Sequence, residues 1–324
     1  MDRGTPLVLG LAMSRPVQEE GLQRLREAAA AGGRALEARA CRDPAEMERH
    51  LPELEVLLGR PAGPHLARAS RLRWVQAESA GVDGFPLTEL ARAGVVLTNA
   101  RGLYAEAMAE HCLALLLALV RRIPEAVREQ DAHRWRVHDP GVLQGHRLGI
   151  LGYGTTGRAL AERACPFGLE IWASRFHPRP DPLVRRMFGP SRAELLELLG
   201  GCDLVAAMLP STPATAGLLD SQALAAMRPG AYLVNVGRED LIVAGALAEA
   251  LDSGRLGGVG LDTPPAEATP GSRLWTTPGV LITPHVAGAR PDAQGRVLEL
   301  FADNLGRYCR GEPLRNRIDL EAGY

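Results

Sequence analysis

The chain has 324 residues, of which 46% are hydrophobic, and a formal net charge of −1. This composition is typical of a globular protein of about two domains. The near-neutral charge argues against a nucleic-acid-binding or polybasic membrane-binding protein, and we expect neither partner. All the basic residues are arginine, so Schiff-base lysine chemistry is excluded.

The five cysteines are scattered along the chain without any C-x-x-C spacing. They predict neither a disulfide framework nor a zinc site, and they favour a reducing cytoplasm. The first residues lack the layout of a signal peptide, and the longest apolar run, 112–120, is too short to span a bilayer. We therefore expect a cytoplasmic protein without a bound metal.

Residues 6–99 alternate between strand-like and helix-like patterns, which predicts a parallel sheet covered by helices. The helix candidates include 17–31 and a segment that Asp43 caps ahead of Pro44. The loop Ser79-Ala80-Gly81-Val82-Asp83 follows a strand, where its amides could hold a carboxylate, although a plain turn explains it equally well. The predicted strands are 6–12, 34–40, 56–59, 73–78 and 95–98.

Residues 104–122 predict one long helix that is polar at its start and apolar afterwards, as a buried helix is. His111 in its first half is interpreted as structural. The polar residues 124–145, including Trp135, are interpreted as an irregular surface excursion.

The stretch 147–157, RLGILGYGTTG, contains the pattern G-x-G-x-x-G between a predicted strand and a predicted helix. In this context Gly152 makes a tight turn, Gly154 lets a pyrophosphate approach the backbone, and Gly157 lets helix and strand pack closely. The amides of Thr155 and Thr156 at the new helix N-terminus suit an anion. The stretch therefore predicts a dinucleotide site.

Six strands are predicted from this loop onward, as in a doubly wound dinucleotide-binding domain. The last predicted helix, 292–310, is expected to return to the first domain. We therefore predict an α/β protein of two doubly wound parallel-sheet domains. They are a flavodoxin-like substrate domain (1–99 and 290–324) and a Rossmann dinucleotide-binding domain (100–289). The six strands are 148–152, 169–173, 204–209, 231–236, 259–262 and 280–283.

Ligands of such sheets bind beyond the carboxyl ends of the strands, so polar residues at those ends are the candidates for chemistry. Arg238, Asp262, Glu267 and His285 all follow predicted strands. An arginine, a carboxylate and a histidine suit hydride transfer to a 2-oxo acid. The arginine binds the carboxylate and polarises the ketone, while a carboxylate-supported histidine passes the proton.

The chain resembles the D-isomer-specific 2-hydroxyacid dehydrogenases over nearly its whole length. The stretches that carry the resemblance are SAGVD (79–83), TNARGLYAEAMAEHCLALLLAL (98–119), GHRLGILGYGTTG (145–157), LPSTPATAGL (209–218), MRPGAYLVNVGR (227–238), LDTPPAE (261–267) and TPHVAG (283–288). The resemblance implies that Arg238 binds substrate, that His285 is the acid–base, and that Glu267 pairs with His285. It also implies that Asp262 lies beside the nicotinamide and that the amides of Ala80 and Gly81 hold the substrate carboxylate. The remaining residues that it places at the dinucleotide are Pro210, Val236 and Gly288.

The chain departs from the family pattern at several positions near the substrate. Glu239 stands where a glycine usually follows the arginine, Thr263 and Pro264 interrupt the usual LDVF, and Tyr104 replaces a small polar residue. These departures leave the class of reaction unchanged and leave the substrate open.

The end of the second strand of the Rossmann domain predicts the choice of dinucleotide. An NAD-specific site places a carboxylate there, about twenty residues past the glycine loop. This chain has Ser174 and Arg175, followed by Arg179, and its nearest acid, Asp181, lies farther along the loop. A hydroxyl and guanidinium groups can bind a 2′-phosphate. We therefore expect NADP, with NAD possible if Arg175 only stacks on adenine.

These expectations describe a homodimeric reductase of small 2-oxo acids such as glyoxylate or hydroxypyruvate, in which the resemblance pairs helix 104–122 with its twin. One alternative is a 3-phosphoglycerate dehydrogenase-like enzyme. The other is a nucleotide-sensing, corepressor-like binding protein, which measurable turnover would argue against.

Overall fold

The computed structural model describes residues 5–61, 63–265 and 272–323. Contacts within the chain divide it into two compact units. The first unit is Met1–Tyr104 with Arg290–Tyr324, and the second is Ala105–Ala289. The structural division thus falls between residues 104 and 105, where we had placed the boundary between 99 and 100.

The first unit is a five-stranded parallel sheet in the order β2-β1-β3-β4-β5. This is the flavodoxin-like order that we predicted. The chain returns to this unit with α10, whose apolar face packs against α1 and the sheet. The elements are β1 (Leu7–Ala12), α1 (Glu19–Ala31), β2 (Leu36–Ala40), α2 (Pro44–His50), β3 (Val56–Gly59), β4 (Trp74–Gln76), α3 (Leu87–Arg92), β5 (Val96–Thr98) and α10 (Ala293–Arg310).

The second unit is a seven-stranded parallel sheet in the order β12-β11-β10-β9-β6-β7-β8. The chain runs outward from β6 to β8 and then returns to β9 on the other side of β6. The carboxyl ends of β6 and β9 therefore form the switch point at which such sheets bind ligands. The elements are α4 (Ala105–Val120), α5 (Ile123–Asp131), β6 (Arg147–Leu151), α6 (Thr155–Ala164), β7 (Glu170–Ser174), β8 (Arg186–Phe188), α7 (Arg192–Gly201), β9 (Leu204–Ala207), α8 (Ser221–Ala226), β10 (Ala231–Asn235), α9 (Ala244–Asp252), β11 (Leu256–Leu261) and β12 (Val280–Ile282).

Two expectations for this unit were wrong. The segment after α4 is not all irregular, because Arg122 adopts a left-handed conformation (φ 56°) that ends one helix and Pro124 opens α5. The sheet also has a seventh strand, β8, at its edge. This strand has only three residues, which are too few to give a recognisable strand pattern in the sequence.

The helix α4 is buried within its own unit. Eight of its residues are buried, and they pack on α6 and on the strands β10 and β11. Its buried apolar residues are thus accounted for by packing within its own unit, and the pairing of this helix with its twin stays a prediction. Every described helix falls short of the length and apolarity needed to cross a membrane.

Candidate active site

The glycine loop between β6 and α6 is built as its spacing requires. Gly152 has φ 97°, and a Cβ there would meet the carbonyl of Met208 at 2.9 Å. A Cβ on Gly157 would meet the Gly152 carbonyl at 2.6 Å, so a side chain there would separate helix from strand. A Cβ on Gly154 would meet nothing within 4 Å, and Gly154 is the N-cap residue of α6.

The amino end of α6 is consequently open to a ligand. The amides of Thr155, Thr156 and Gly157 have no hydrogen-bond partner among the described residues, because the first turn of a helix has none of its own. These amides and the helix dipole favour an anion such as a pyrophosphate. The residues present therefore fit a dinucleotide.

The connection after β7 is fastened at both ends beside this loop. At its start, the Ser174 carbonyl accepts the amides of Gly152 and Tyr153, at 3.1 and 2.8 Å. At its far end, Asp181 accepts the Leu183 amide at 3.0 Å and lies 3.4 Å from the Arg158 guanidinium on α6. Burial and the Asp181 charge together raise the pKa of the Tyr153 phenol.

We call residues 175–180 the cationic arch. It carries Arg175, His177 and Arg179, with Arg175 partly exposed and the other two exposed. Neither arginine has a carboxylate partner within the described residues. Asp181 is not placed to bind the ribose hydroxyls of a dinucleotide. Its side chain is only 11% exposed and already contacts Arg158 and the Leu183 amide.

Three further residues expected at the dinucleotide lie beyond the carboxyl ends of strands in the second sheet. Pro210 is exposed beyond β9, and its carbonyl accepts the Thr215 hydroxyl at 2.6 Å. Val236 is buried directly after β10, and its amide donates to the Ala207 carbonyl. Gly288 is partly exposed beyond β12. Their contact with a dinucleotide stays a prediction.

Arg238 is carried on a turn that the buried Asn235 shapes. The Asn235 amide group donates to the Arg238 carbonyl at 2.8 Å, and its oxygen accepts the Gly237 amide at 2.9 Å. A Cβ on Gly237 would meet the Leu209 carbonyl at 2.8 Å, so a glycine is required for this close approach. The Arg238 side chain is partly exposed beyond the carboxyl end of β10.

His285 lies beyond β12 with an exposed side chain and a left-handed backbone (φ 55°), which a non-glycine residue seldom adopts. The buried Asp262 holds this backbone. Its carboxylate accepts the amides of Val286 and Ala287, at 2.9 and 2.8 Å, and its carbonyl accepts the His285 amide at 2.9 Å. The hydrogen bonds of Asp262 thus stabilise the conformation of the loop that carries His285. Its position beside the nicotinamide stays a prediction.

Backbone hydrogen bonds join the turns that carry Arg238 and His285. The Asp262 amide donates to the Asn235 carbonyl at 2.9 Å, while its carbonyl accepts from His285. Since β11, which carries Asp262, lies between β10 and β12, the Arg238 and His285 side chains leave the same edge of the sheet one strand apart. Glu267, expected to pair with His285, lies outside the described residues. No cluster of three or more potential metal-binding side chains occurs in the described ranges.

Ala80 and Gly81 belong to a loop of the first unit. Neighbouring side chains hold this loop by donating hydrogen bonds to its backbone carbonyls. The Asn99 amide group donates to the Ala80 carbonyl at 2.5 Å, the Ser79 hydroxyl to that of Gly81 at 2.6 Å, and the Tyr104 hydroxyl to that of Glu78 at 2.6 Å. Burial and the nearby Glu78 charge raise the pKa of Tyr104. The amides of Ala80 and Gly81 have no partner in the described part of the chain, so they are available to an anion.

Sequence reasoning missed the supporting residues Asn235, Asn99 and Thr283, and it assigned His111 no part in the site. Each acts through a tertiary contact with a residue far along the chain or through a turn that only the fold defines. The one available signal was their occurrence within the stretches that carry the family resemblance.

Comparison with known proteins identifies relatives among the 2-hydroxyacid dehydrogenases. The family model described as D-isomer specific 2-hydroxyacid dehydrogenase, NAD binding domain, matches residues 113–287. Among curated proteins, the glyoxylate/hydroxypyruvate reductase A of Serratia proteamaculans is 33% identical over 277 residues, covering 83% of this chain and 87% of that protein.

The D-3-phosphoglycerate dehydrogenase of Mycobacterium bovis is 32% identical over 279 residues, covering 84% of this chain but 52% of that enzyme. The chain thus spans about half the length of such relatives. Among solved structures, a D-isomer specific 2-hydroxyacid dehydrogenase from Xanthobacter autotrophicus Py2, in complex with NADPH and MES, superposes with a TM-score of 0.81. It is 29% identical and covers 99% of this chain and 100% of that one.

Proposed function

Because the chain belongs to the D-isomer-specific 2-hydroxyacid dehydrogenase family, we propose that it is a reductase that transfers a hydride from NADPH to a small 2-oxo acid. The single observation that carries this proposal is the common edge of the second sheet. An open glycine loop, Arg238 and His285 all lie beyond the carboxyl ends of its strands, and Asp262 links the last two.

The residues have complementary tasks in this reaction, which converts a 2-oxo acid, a hydride and a proton into a 2-hydroxy acid. NADPH, when bound, supplies the hydride. Arg238 binds the substrate carboxylate with its forked guanidinium and polarises the ketone. His285 donates a proton to the oxygen on which negative charge develops. Glu267 orients the histidine, and the amides of Ala80 and Gly81 hold the substrate carboxylate.

The cationic arch supports NADPH rather than NADH. A 2′-phosphate needs hydrogen-bond donors and positive charge, and Arg175 and Arg179 supply both beside the glycine loop. The Xanthobacter structure holds NADPH, which agrees with this choice. NAD stays possible as a second dinucleotide.

The experiment that tests the proposal is a panel of 2-oxo acids assayed with NADPH and with NADH. We expect glyoxylate or hydroxypyruvate to be reduced, with NADPH the better donor. Phosphohydroxypyruvate belongs in the same panel, because the resemblance to phosphoglycerate dehydrogenases makes that activity the second candidate. Binding of NADPH without turnover of any member would instead favour a nucleotide-sensing protein.

We also propose that the enzyme is a cytoplasmic homodimer. What supports the dimer is an exposed apolar segment after α4, formed by Ile123, Val127, Trp135, Val137 and Val142. Trp135 is fully exposed and Val137 is 85% exposed. Several large apolar side chains exposed within one segment favour burial against another protein surface, and a second copy of the same chain is the simplest partner.

A further inference from the structure

A chain of hydrogen bonds leads from α4 to the loop that carries His285. The Nε2 atom of His111 lies 2.9 Å from the hydroxyl of Thr283, and that hydroxyl lies 2.6 Å from Oδ1 of Asp262. The direct distance from His111 Nε2 to Asp262 Oδ1 is 3.6 Å. All three residues belong to the second unit, and they come from α4, the end of β12 and the end of β11.

The direction of each hydrogen bond follows from the donors available. Thr283 has one hydroxyl hydrogen, and the carboxylate of Asp262 can only accept, so Thr283 donates to Asp262. The Thr283 oxygen must then accept from His111. His111 therefore carries a proton on Nε2, and its hydrogen bond strengthens the donation from Thr283 to the carboxylate.

The carboxylate at the end of this chain determines the geometry of the His285 loop. Its oxygens accept the amides of Val286 and Ala287, which directly follow His285. The left-handed backbone of His285 costs free energy and persists only where the surroundings hold it. Any rotation of the Asp262 carboxylate would release these amides and move the imidazole.

We propose that His111 and Thr283 are positioning residues, which fix the Asp262 carboxylate and thereby aim His285 at its substrate. The proposal rests on the proposed function insofar as His285 is the proton donor. It assigns His111 a task beyond the structural one that its sequence context suggested.

The first test compares turnover and dinucleotide binding in variants of the chain of hydrogen bonds. Thr283→Val keeps the shape of the side chain but removes the hydroxyl, and His111→Ala removes the donor. Each should lower kcat by about 10- to 100-fold, the effect of a small misplacement of a catalytic group, and leave the Kd for NADPH unchanged. Thr283→Ser should recover most of the turnover that valine loses.

A matched control is His146→Ala. The Nδ1 atom of His146 lies 3.4 Å from Asp203, but both residues stand at the amino ends of strands, at the edge opposite His285. This variant should keep wild-type kcat.

The double variant His111→Ala/Thr283→Val should be no slower than the slower single variant, because both residues act through one chain of hydrogen bonds. Losses that multiply, or a serine variant as slow as the valine one, would overturn the proposal.

The second test does not depend on activity. Hydrogen exchange of the Val286 and Ala287 amides should accelerate in both single variants by about 2- to 12-fold, the range for one net hydrogen bond, and stay unchanged in His146→Ala. Unchanged protection in Thr283→Val would overturn the positioning role. Accelerated exchange in a protein that reduces no 2-oxo acid would uphold this role while rejecting the proposed function.

Discussion

The carbonyl of Ser174 accepts the amide of Tyr153 at 2.8 Å, which joins the end of β7 to the glycine loop. Arg175 is therefore covalently attached to a residue that touches the loop, whatever rotamer its side chain adopts. The other end of the cationic arch returns to α6 through the ion pair between Asp181 and Arg158. Both anchors place the arch where the ribose end of a dinucleotide would lie in a fold of this kind.

We predict that Arg175→Asp reverses the choice of dinucleotide. A carboxylate repels the 2′-phosphate of NADPH and can accept hydrogen bonds from the ribose hydroxyls of NADH. The ratio of kcat/KM for NADPH to that for NADH should fall by about tenfold or more, which corresponds to about 1.4 kcal/mol.

Arg185→Asp is the control for this change, because Arg185 is an exposed arginine of the same connection beyond Asp181. It alters the net charge equally and should leave the ratio unchanged. The NADPH preference of the wild type should weaken as salt increases, since a partly exposed contact is screened. A wild type that used NADH tenfold better at low salt would contradict this interpretation of Arg175.

The sequence predicted those parts of the site that depend on local pattern. The glycine loop is contiguous, and the positions of Arg238 and His285 follow from strand ends that hydrophobic runs define. Arg175 follows from counting along one strand. These residues could be predicted because the position of each depends only on the secondary structure of its own segment.

The remaining parts depend on contacts between distant segments. His111 precedes Thr283 by 172 residues, and only the packing of α4 on the sheet brings them together. The left-handed conformation of Arg122, which separates α4 from α5, has no signal comparable to a glycine. The strand β8 is recognisable only through its pairing with β7.

We predict that Arg238→Lys is severely impaired rather than conservative. A lysine keeps the charge but loses the fork that binds a carboxylate with two hydrogen bonds. KM for the 2-oxo acid should rise and kcat should fall, because the same group binds the carboxylate and polarises the ketone. Steady-state kinetics measure both, and near-wild-type values would mean that another cation binds the carboxylate.

We predict that His285→Ala lowers turnover by about 10²- to 10⁴-fold, the usual contribution of a positioned acid–base group. The Kd for NADPH, measured by quenching of its fluorescence or by calorimetry, should stay close to that of the wild type. The His285 side chain is exposed, so its truncation leaves no buried cavity and the variant should fold. Unchanged turnover would remove His285 from the mechanism.

A buried ion pair in the first unit makes stability depend on pH. Glu55 accepts hydrogen bonds from Arg34, at 2.5 and 2.9 Å, and from the Tyr308 hydroxyl at 2.8 Å. Burial by itself would raise the Glu55 pKa, but these hydrogen bonds and the Arg34 charge outweigh it and hold the pKa below its usual value. The ionised carboxylate therefore stabilises the fold above the pKa of the unfolded chain, about 4.3. That contribution is lost as the pH falls through the lower folded-state pKa.

We expect Glu55→Gln to lower the free energy of unfolding by about 3–5 kcal/mol at pH 7, because Arg34 is left buried without its counter-charge. The difference from the wild type should shrink as the pH falls below about 4.3, where the unfolded chain takes up the proton, and should be lost below the lower folded-state pKa, where the folded carboxylate is also neutral. Urea unfolding at several pH values measures both. Glu37→Gln, on strand β2 and half-exposed in its ion pair with Arg39, is the control and should cost little. A difference that stayed constant with pH would contradict the assignment.

Our last prediction concerns the exposed apolar segment. If a second copy covers it, light scattering at micromolar concentration should give twice the chain mass of 34.7 kDa. Burying one valine side chain is worth about 1.5–3 kcal/mol, and a two-fold axis places every substitution in the interface twice. Trp135→Asp/Val137→Asp should therefore weaken the dimer by well over 100-fold and yield monomers, whereas Val243→Asp, at an exposed valine outside the segment, should stay dimeric. A wild type that scattered as a single chain would contradict the homodimer.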